Sequence, residues 1–214
     1  MHLYLSSFGL GTPPSGLHAR RQGARAAIVL NALDQLGSSR ARDLDRQAAD
    51  LHAIGYAGDE LDLRSFFANG EGLAETLGHY DLVWVVGGNS FVLARAMTAC
   101  RFADALTAQS GRDAFTYAGF SAGSVVAGPD LQGIHLVDDP VVHLQDYPPD
   151  VPASTLGLIP FRVVPHWRSP HPESAAIDDV VADLDRRGLD YRCLSDGQAL
   201  FGRTVDDLAL VDVT

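Results

Sequence analysis

Tyr117-Ala118-Gly119-Phe120-Ser121-Ala122-Gly123-Ser124 is the stretch on which the reading of this chain turns. Residues 116–119 are strand-like, and residues 122–127 can begin a helix. Between them stands G-x-S-x-G, the pattern of a strand that turns sharply into a helix and leaves a serine at the top of a sheet. The two glycines let neighbouring backbone close around the turn. Free N–H groups and the helix dipole at that point favour developing negative charge. The plain alternative is a small-residue turn that packs a helix tightly onto a sheet.

A second strand end lies upstream. Residues 82–86 form an apolar run that stops at Gly87-Gly88-Asn89-Ser90, after which a helix is expected. Open α/β sheets place their sites at the carboxyl ends of strands. Gly88 and Ser121 are thus expected side by side, and the N–H groups of Gly88 and Ala122 would form a two-donor oxyanion hole. The alternative here is a glycine turn capped by Asn or Ser.

Further strands are expected at residues 2–5, 26–30 and 161–164, and helices at 42–54, 91–98, 102–110 and 174–187, the last closed by Gly188. Residues 191–194, 199–202 and 208–213 read as a terminal set of strands with a hairpin-like edge. Strands alternating with helices imply a mostly parallel sheet covered on both faces. The 214 residues fit one domain, 1–214, and 46% hydrophobic residues suffice for its core. Residues 139–152 (DPVVHLQDYPPDVP) read as a long loop serving as lid or wall. Gly9–Gly16 lacks the third glycine of a dinucleotide fingerprint.

A serine nucleophile needs a base and an orienting acid. His166 ends the apolar run 161–165, which puts it at a strand tip. His171, among prolines, reads as loop, and His135 and His143 are the spares. Asp196, in Leu194-Ser195-Asp196-Gly197, follows another apolar run and is the preferred acid, with Asp138 and Asp139 as rivals. A metal pair of His166 and His171 is not expected, because proline breaks the segment and no third ligand is evident.

Composition removes whole classes. All 16 basic residues are Arg, so there is no lysine for a P-loop or a Schiff base. A net charge of −11 without a basic run argues against nucleic-acid binding. Cys100 and Cys193 are far apart and read as buried free thiols. No apolar run reaches membrane-spanning length and the N-terminus lacks a signal pattern, so a cytoplasmic setting is expected.

AGFSAGS, with VVGGNSF before it and VVPHW and LSDG after it, resembles the peptidase E (S51) family of serine peptidases, over most of the chain. The resemblance implies a class I glutamine-amidotransferase-like fold, an α/β three-layer sandwich with a mostly parallel central sheet. It implies Ser121 as nucleophile, His166 as base, and an oxyanion hole from the backbone of Gly88 and Ala122. Asn89 completes the family's Gly-Gly-Asn turn and, with Arg168, is a substrate-binding candidate. It further implies short peptides as substrates, no metal or organic cofactor, and a homodimer. Two departures stand out. The family's aspartyl dipeptidases carry Glu in a Pro-Glu-Gly turn, where this chain has Ser195-Asp196-Gly197. Their substrate-gripping Arg has no counterpart in residues 172–181 (PESAAIDDVV), which leaves Arg168 as the nearest substitute.

The reading that follows is a serine exopeptidase removing one N-terminal residue, with Glu173, Asp178 or Asp179 as partner for the substrate ammonium. Three alternatives stand beside it. A strict α-aspartyl dipeptidase would need an Arg at the site, an α/β-hydrolase esterase would place its acid before the histidine, and a catalytically silent binding protein would need no base at all.

Overall fold

The computed structural model describes residues 1–142 and 144–214, leaving aside the side chains of residues 38 and 39. Seven strands form the main sheet: β1 (His2–Ser6), β2 (Arg25–Val29), β3 (Ala57–Glu60), β4 (Leu82–Val85), β5 (Thr116–Phe120), β8 (Gln198–Gly202) and β9 (Ala209–Asp212). Their spatial order is β3-β2-β4-β5-β1-β8-β9. The first five run parallel, and β8 and β9 close the edge as an antiparallel pair. β6 (Arg162–Val164) and β7 (Tyr191–Cys193) stand apart as a small parallel sheet of their own. This corrects the expectation that residues 191–194 belong with the terminal edge strands.

Alternation along the strands builds two cores. Leu3, Leu5, Ala27, Val29, Val83, Val85 and Tyr117 face one side, against α2 (Leu73–Gly78), α3 (Ser90–Ala99), α4 (Phe102–Thr107) and α5 (Ala122–Val125). Tyr4, Ala26, Ile28, Leu82, Trp84, Ala118 and Phe120 face the other, where α1 (Arg40–Ala53) supplies Leu51 and Leu44. Trp84 Nε1 donates to Gln47 Oε1 at 2.7 Å, satisfying both buried polar groups. A third, smaller cluster ties α6 (Ser174–Arg186) to β6 through Ile177, Val180, Leu184 and Val164.

Two elements were not legible in the sequence. β3 reads AGDE and has no β-branched or aromatic residue; its backbone pairs with β2 while its side chains stay largely exposed. α2 is only six residues long, too short to show a helical period. Cys100 is buried, whereas Cys193 is only partly so; both are free. Among the described residues, none of 139–152 lines a cavity at Ser121. The loop packs on α3, where Arg95 donates to the Pro140 and Val142 carbonyls. There it lines a separate cavity of about 450 Å³.

Candidate active site

Strand register brings the pieces to one rim. Val85 is paired with Gly119, so Gly87, two residues on, comes level with Ser121. Ser6 is paired with Phe120, so Ser7 emerges beside the same serine. In the small sheet Val164 is paired with Cys193, which carries His166 and Ser195-Asp196 out together.

Ser121 occupies a strained turn, with φ 49° and ψ −117°. Such a conformation costs on the order of 1–3 kcal/mol in a residue with a side chain. Close packing holds it there. A methyl group at Gly123 would lie 2.2 Å from the Val85 carbonyl oxygen, so only glycine lets α5 approach β4 this closely. Ser124 Oγ donates across the turn, 2.8 Å from the Ser6 carbonyl and 2.9 Å from that of Gly119. The Ser121 N–H faces the Ser6 and Ser7 carbonyls.

The Ser121 Oγ lies 3.0 Å from His166 Nε2, and His166 Nδ1 lies 2.8 Å from Asp196 Oδ1. His166 is buried and, like Ser121, has a positive φ, 60°. Burial lowers its pKa below the ordinary 6.5; the Asp196 hydrogen bond opposes that shift and the neighbouring His171 adds to it. The Gly88 and Ala122 N–H groups find no acceptor among the described residues. Gly88 has φ 139°, and a methyl group there would meet the Ala32 carbonyl at 2.5 Å, so the turn admits no other residue without strain.

Several contributors were missed in the sequence. Ser7 links the three stretches: its hydroxyl accepts from the His166 N–H at 2.8 Å and reaches Asp196 Oδ1 at 2.8 Å. A hydroxyl directly after the first strand was the available signal. Ser169 Oγ accepts from the Asp196 N–H at 2.7 Å, and Ser195 Oγ donates to the Trp167 carbonyl at 2.8 Å, so the two turns are laced to each other. His171, expected only as a loop residue, lies at the site. Its ring stacks on His166, with centroids 3.7 Å apart and planes within 9°, and Phe8 packs against both. Because Glu173 N–H donates to His171 Nδ1 at 3.3 Å, that nitrogen presents a lone pair.

Other expected residues lie elsewhere. Arg168 is exposed and its guanidinium lies over the Trp167 ring, 4.3 Å from the centroid. It lines neither cavity that opens on Ser121. Arg168 has a positive φ, 51°, and the chain after it stays at the rim, with Ser169 on the Asp196 N–H and His171 on His166. Asn89 is spent on structure: its Oδ1 caps α3 by accepting from Val92 N–H, and its Nδ2 donates to the Asp139 carbonyl. Asp178 and Asp179 are exposed on α6. His135 is exposed on a short 3₁₀ turn, and His143 lies outside the described residues. Asp138 accepts from Ser90 N–H and Asp139 from Val141 N–H; neither is bonded to His166.

Two cavities open on Ser121. One, about 20 Å³ or roughly one water, is walled by Val125, Ile134, Val137, Pro165 and Ile177, with Asp138 and Glu173 at its border. The other, about 220 Å³, is lined by His166, His171, Phe8, Arg46 and Glu173 among others. Glu173 borders both. Its carboxyl is pushed up by burial, then by the charge of Asp138; Asp138 is itself pushed up by burial. His166, His171 and Glu173 also present ligand atoms within 4.8 Å of one another. Both ring nitrogens of His166 and Nδ1 of His171 are already hydrogen-bonded, so an ion there would have to displace those bonds.

A parallel sheet with a strained serine elbow at its carboxyl edge and an imidazole within hydrogen-bond reach defines a class, the serine-type hydrolytic α/β proteins. Comparison narrows it. The model of peptidase family S51 matches residues 44–206, so the chain belongs to that family of serine-type peptidases. Peptidase E of Streptomyces coelicolor is 37% identical over 153 residues, covering 71% of this chain and 55% of that protein. A Drosophila melanogaster protein named "Probable alpha-aspartyl dipeptidase" is 33% identical over 96 residues, covering 45% of this chain and 37% of its own length. The chain spans about half the length of the first of these relatives. A candidate peptidase E from Listeria monocytogenes EGD-e shares the fold, with a TM-score of 0.76 at 19% identity, over 100% of this chain and 98% of that one. No described helix is long and apolar enough to cross a membrane.

Proposed function

We propose that this chain, acting as one catalytic domain, is a serine exopeptidase that removes the N-terminal residue of short peptides through Ser121, His166 and Asp196. The observation that carries the reading is the unbroken relay from Ser121 Oγ to His166 Nε2 and from Nδ1 to Asp196, with spans of 3.0 and 2.8 Å. His166 takes the hydroxyl proton as Ser121 attacks the scissile carbonyl. The Gly88 and Ala122 N–H groups receive the oxyanion, each such donor being worth about 10²–10³ in rate. His166 then protonates the departing amine, and water attacks the acyl-enzyme to regenerate the serine. Asp196 holds the imidazole tautomer that leaves Nε2 free to accept.

Exopeptidase rather than endopeptidase action is supported by the cavity that lacks His166. It lies on the acyl side, has room for no more than a methyl-sized group, and is bordered by Glu173, a carboxylate suited to the substrate's α-ammonium. No Arg lines that cavity, which disfavours an aspartyl side chain there and supports a broader aminopeptidase over a strict α-aspartyl dipeptidase. The two free thiols suit a reducing, cytoplasmic compartment. Digestion of a peptide mixture, read by mass spectrometry, should show loss of single N-terminal residues from free peptides and none from N-acetylated ones. Internal cleavage, or cleavage confined to Asp-X, would refute this specificity.

The lowered pKa of His166 has a measurable consequence. Only neutral imidazole accepts the Ser121 proton, so kcat/KM rises with pH through the free-enzyme pKa of His166. The midpoint of that acid limb should fall below pH 6.5. His171→Phe keeps a stacked ring but removes an imidazole whose protonated form repels a protonated His166, so the midpoint should move up. A pH profile of both proteins measures it, and a downward move would contradict this account.

A further inference from the structure

One cation at the site is only partly engaged by the protein. Arg46 projects from α1 into the 220 Å³ cavity and is the one guanidinium lining either cavity at Ser121 among the described residues. Its Nη2 donates to Asp43 Oδ1 at 2.7 Å, while Nε and Nη1 have no acceptor among the described residues. Those two N–H groups can meet a planar carboxylate.

The chemistry says which part of a peptide reaches this place. His166 must hand its proton to the departing amine, so the leaving residue lies on the side of Ser121 that His166 occupies. Of the two cavities, only the one containing Arg46 includes His166. Phe8, 52% exposed, lies edge-on to Phe120 in the same cavity and offers an apolar face. Glu173 borders both cavities and repels a carboxylate from the reacting centre, whereas Arg46, whose Nη2 is held by Asp43 in the same cavity, attracts it through its remaining N–H groups.

We propose that Arg46 binds the free α-carboxylate of the leaving residue and Phe8 its side chain, so that the preferred substrate is a dipeptide with an apolar second residue. This rests on the serine-peptidase reading above. The reaction balances as hydrolysis: the amide C–N bond breaks, the amine leaves with the proton carried by His166, and water supplies the new carboxylate oxygen and restores the proton.

The test compares kcat/KM for Ala-Leu and Ala-Leu-amide, in which the carboxylate is masked. The Arg46 side chain is 60% exposed, so the wild type should prefer the free acid by about 2- to 5-fold, the worth of a solvent-exposed ion pair. Arg46→Met should raise KM for Ala-Leu far more than it lowers kcat, bringing the ratio close to one, and Arg46→Lys should restore part of it. Equal or better cleavage of the amide by the wild type overturns the proposal, which needs no variant to fold. So does a preference that survives in Arg46→Met. Labelling of Ser121 by a fluorophosphonate separates the two levels. Label without cleavage of either form overturns the dipeptide assignment alone; absence of label overturns the serine reading on which it stands.

Discussion

Ser121→Ala should lower kcat by about 10⁶-fold, the scale found when a serine-triad nucleophile is removed. The loss belongs to the chemical step. The hydroxyl's hydrogen-bond partner is His166 Nε2, and nothing in the packing of α5 or β5 depends on it. KM should therefore change little, and so should stability. Alanine carries a Cβ as serine does, so the cost of the positive φ at 121 is the same in both proteins. Steady-state kinetics beside a thermal melt check this. A variant that melts with the wild type and keeps more than a trace of peptidase activity would place the nucleophile elsewhere.

Asp196→Asn should cost about 10⁴-fold in kcat, the effect of the same exchange in a serine triad. An amide in place of the carboxylate can satisfy His166 Nδ1 by donating its own N–H. That forces the ring proton onto Nε2, which then has no lone pair for the Ser121 hydroxyl. The shape is preserved, and the Ser7 hydroxyl, which shares Oδ1 with His166, can turn its proton to the Leu194 carbonyl, 3.1 Å away. Asp139→Asn is the contrasting change, because that carboxylate serves Val141 N–H within an exposed loop segment. Parallel kinetics of the two variants decide the matter. Comparable losses in both would remove Asp196 from its assigned part.

Much of this was legible because strand ends are. The apolar runs ending at Gly87-Gly88, Ser121 and His166 announce a sheet whose carboxyl edge gathers function, and the family resemblance supplied the pairing of those ends. What stayed hidden depends on contacts that no periodicity encodes. Ser7 matters because β1 lies between β5 and β8, an adjacency visible only once the strand order is known. Arg46 lies on a helix remote in sequence from every motif, and only the packing of α1 over the sheet brings it to the serine. Arg168 was chosen by closeness to His166 in the chain. The tight positive-φ turn at His166 and Arg168 instead directs it onto Trp167. The separate β6–β7 sheet shares this origin: short apolar strands give no sign of which sheet they join.

Fluorophosphonate labelling with the adduct mapped by mass spectrometry addresses the nucleophile without any assumption about substrate. The wild type should carry one adduct, at Ser121, and His166→Ala should be modified far more slowly, since the hydroxyl would have lost its base. Modification of another residue, or an equal rate in the two proteins, would contradict the assignment of these side chains as nucleophile and base.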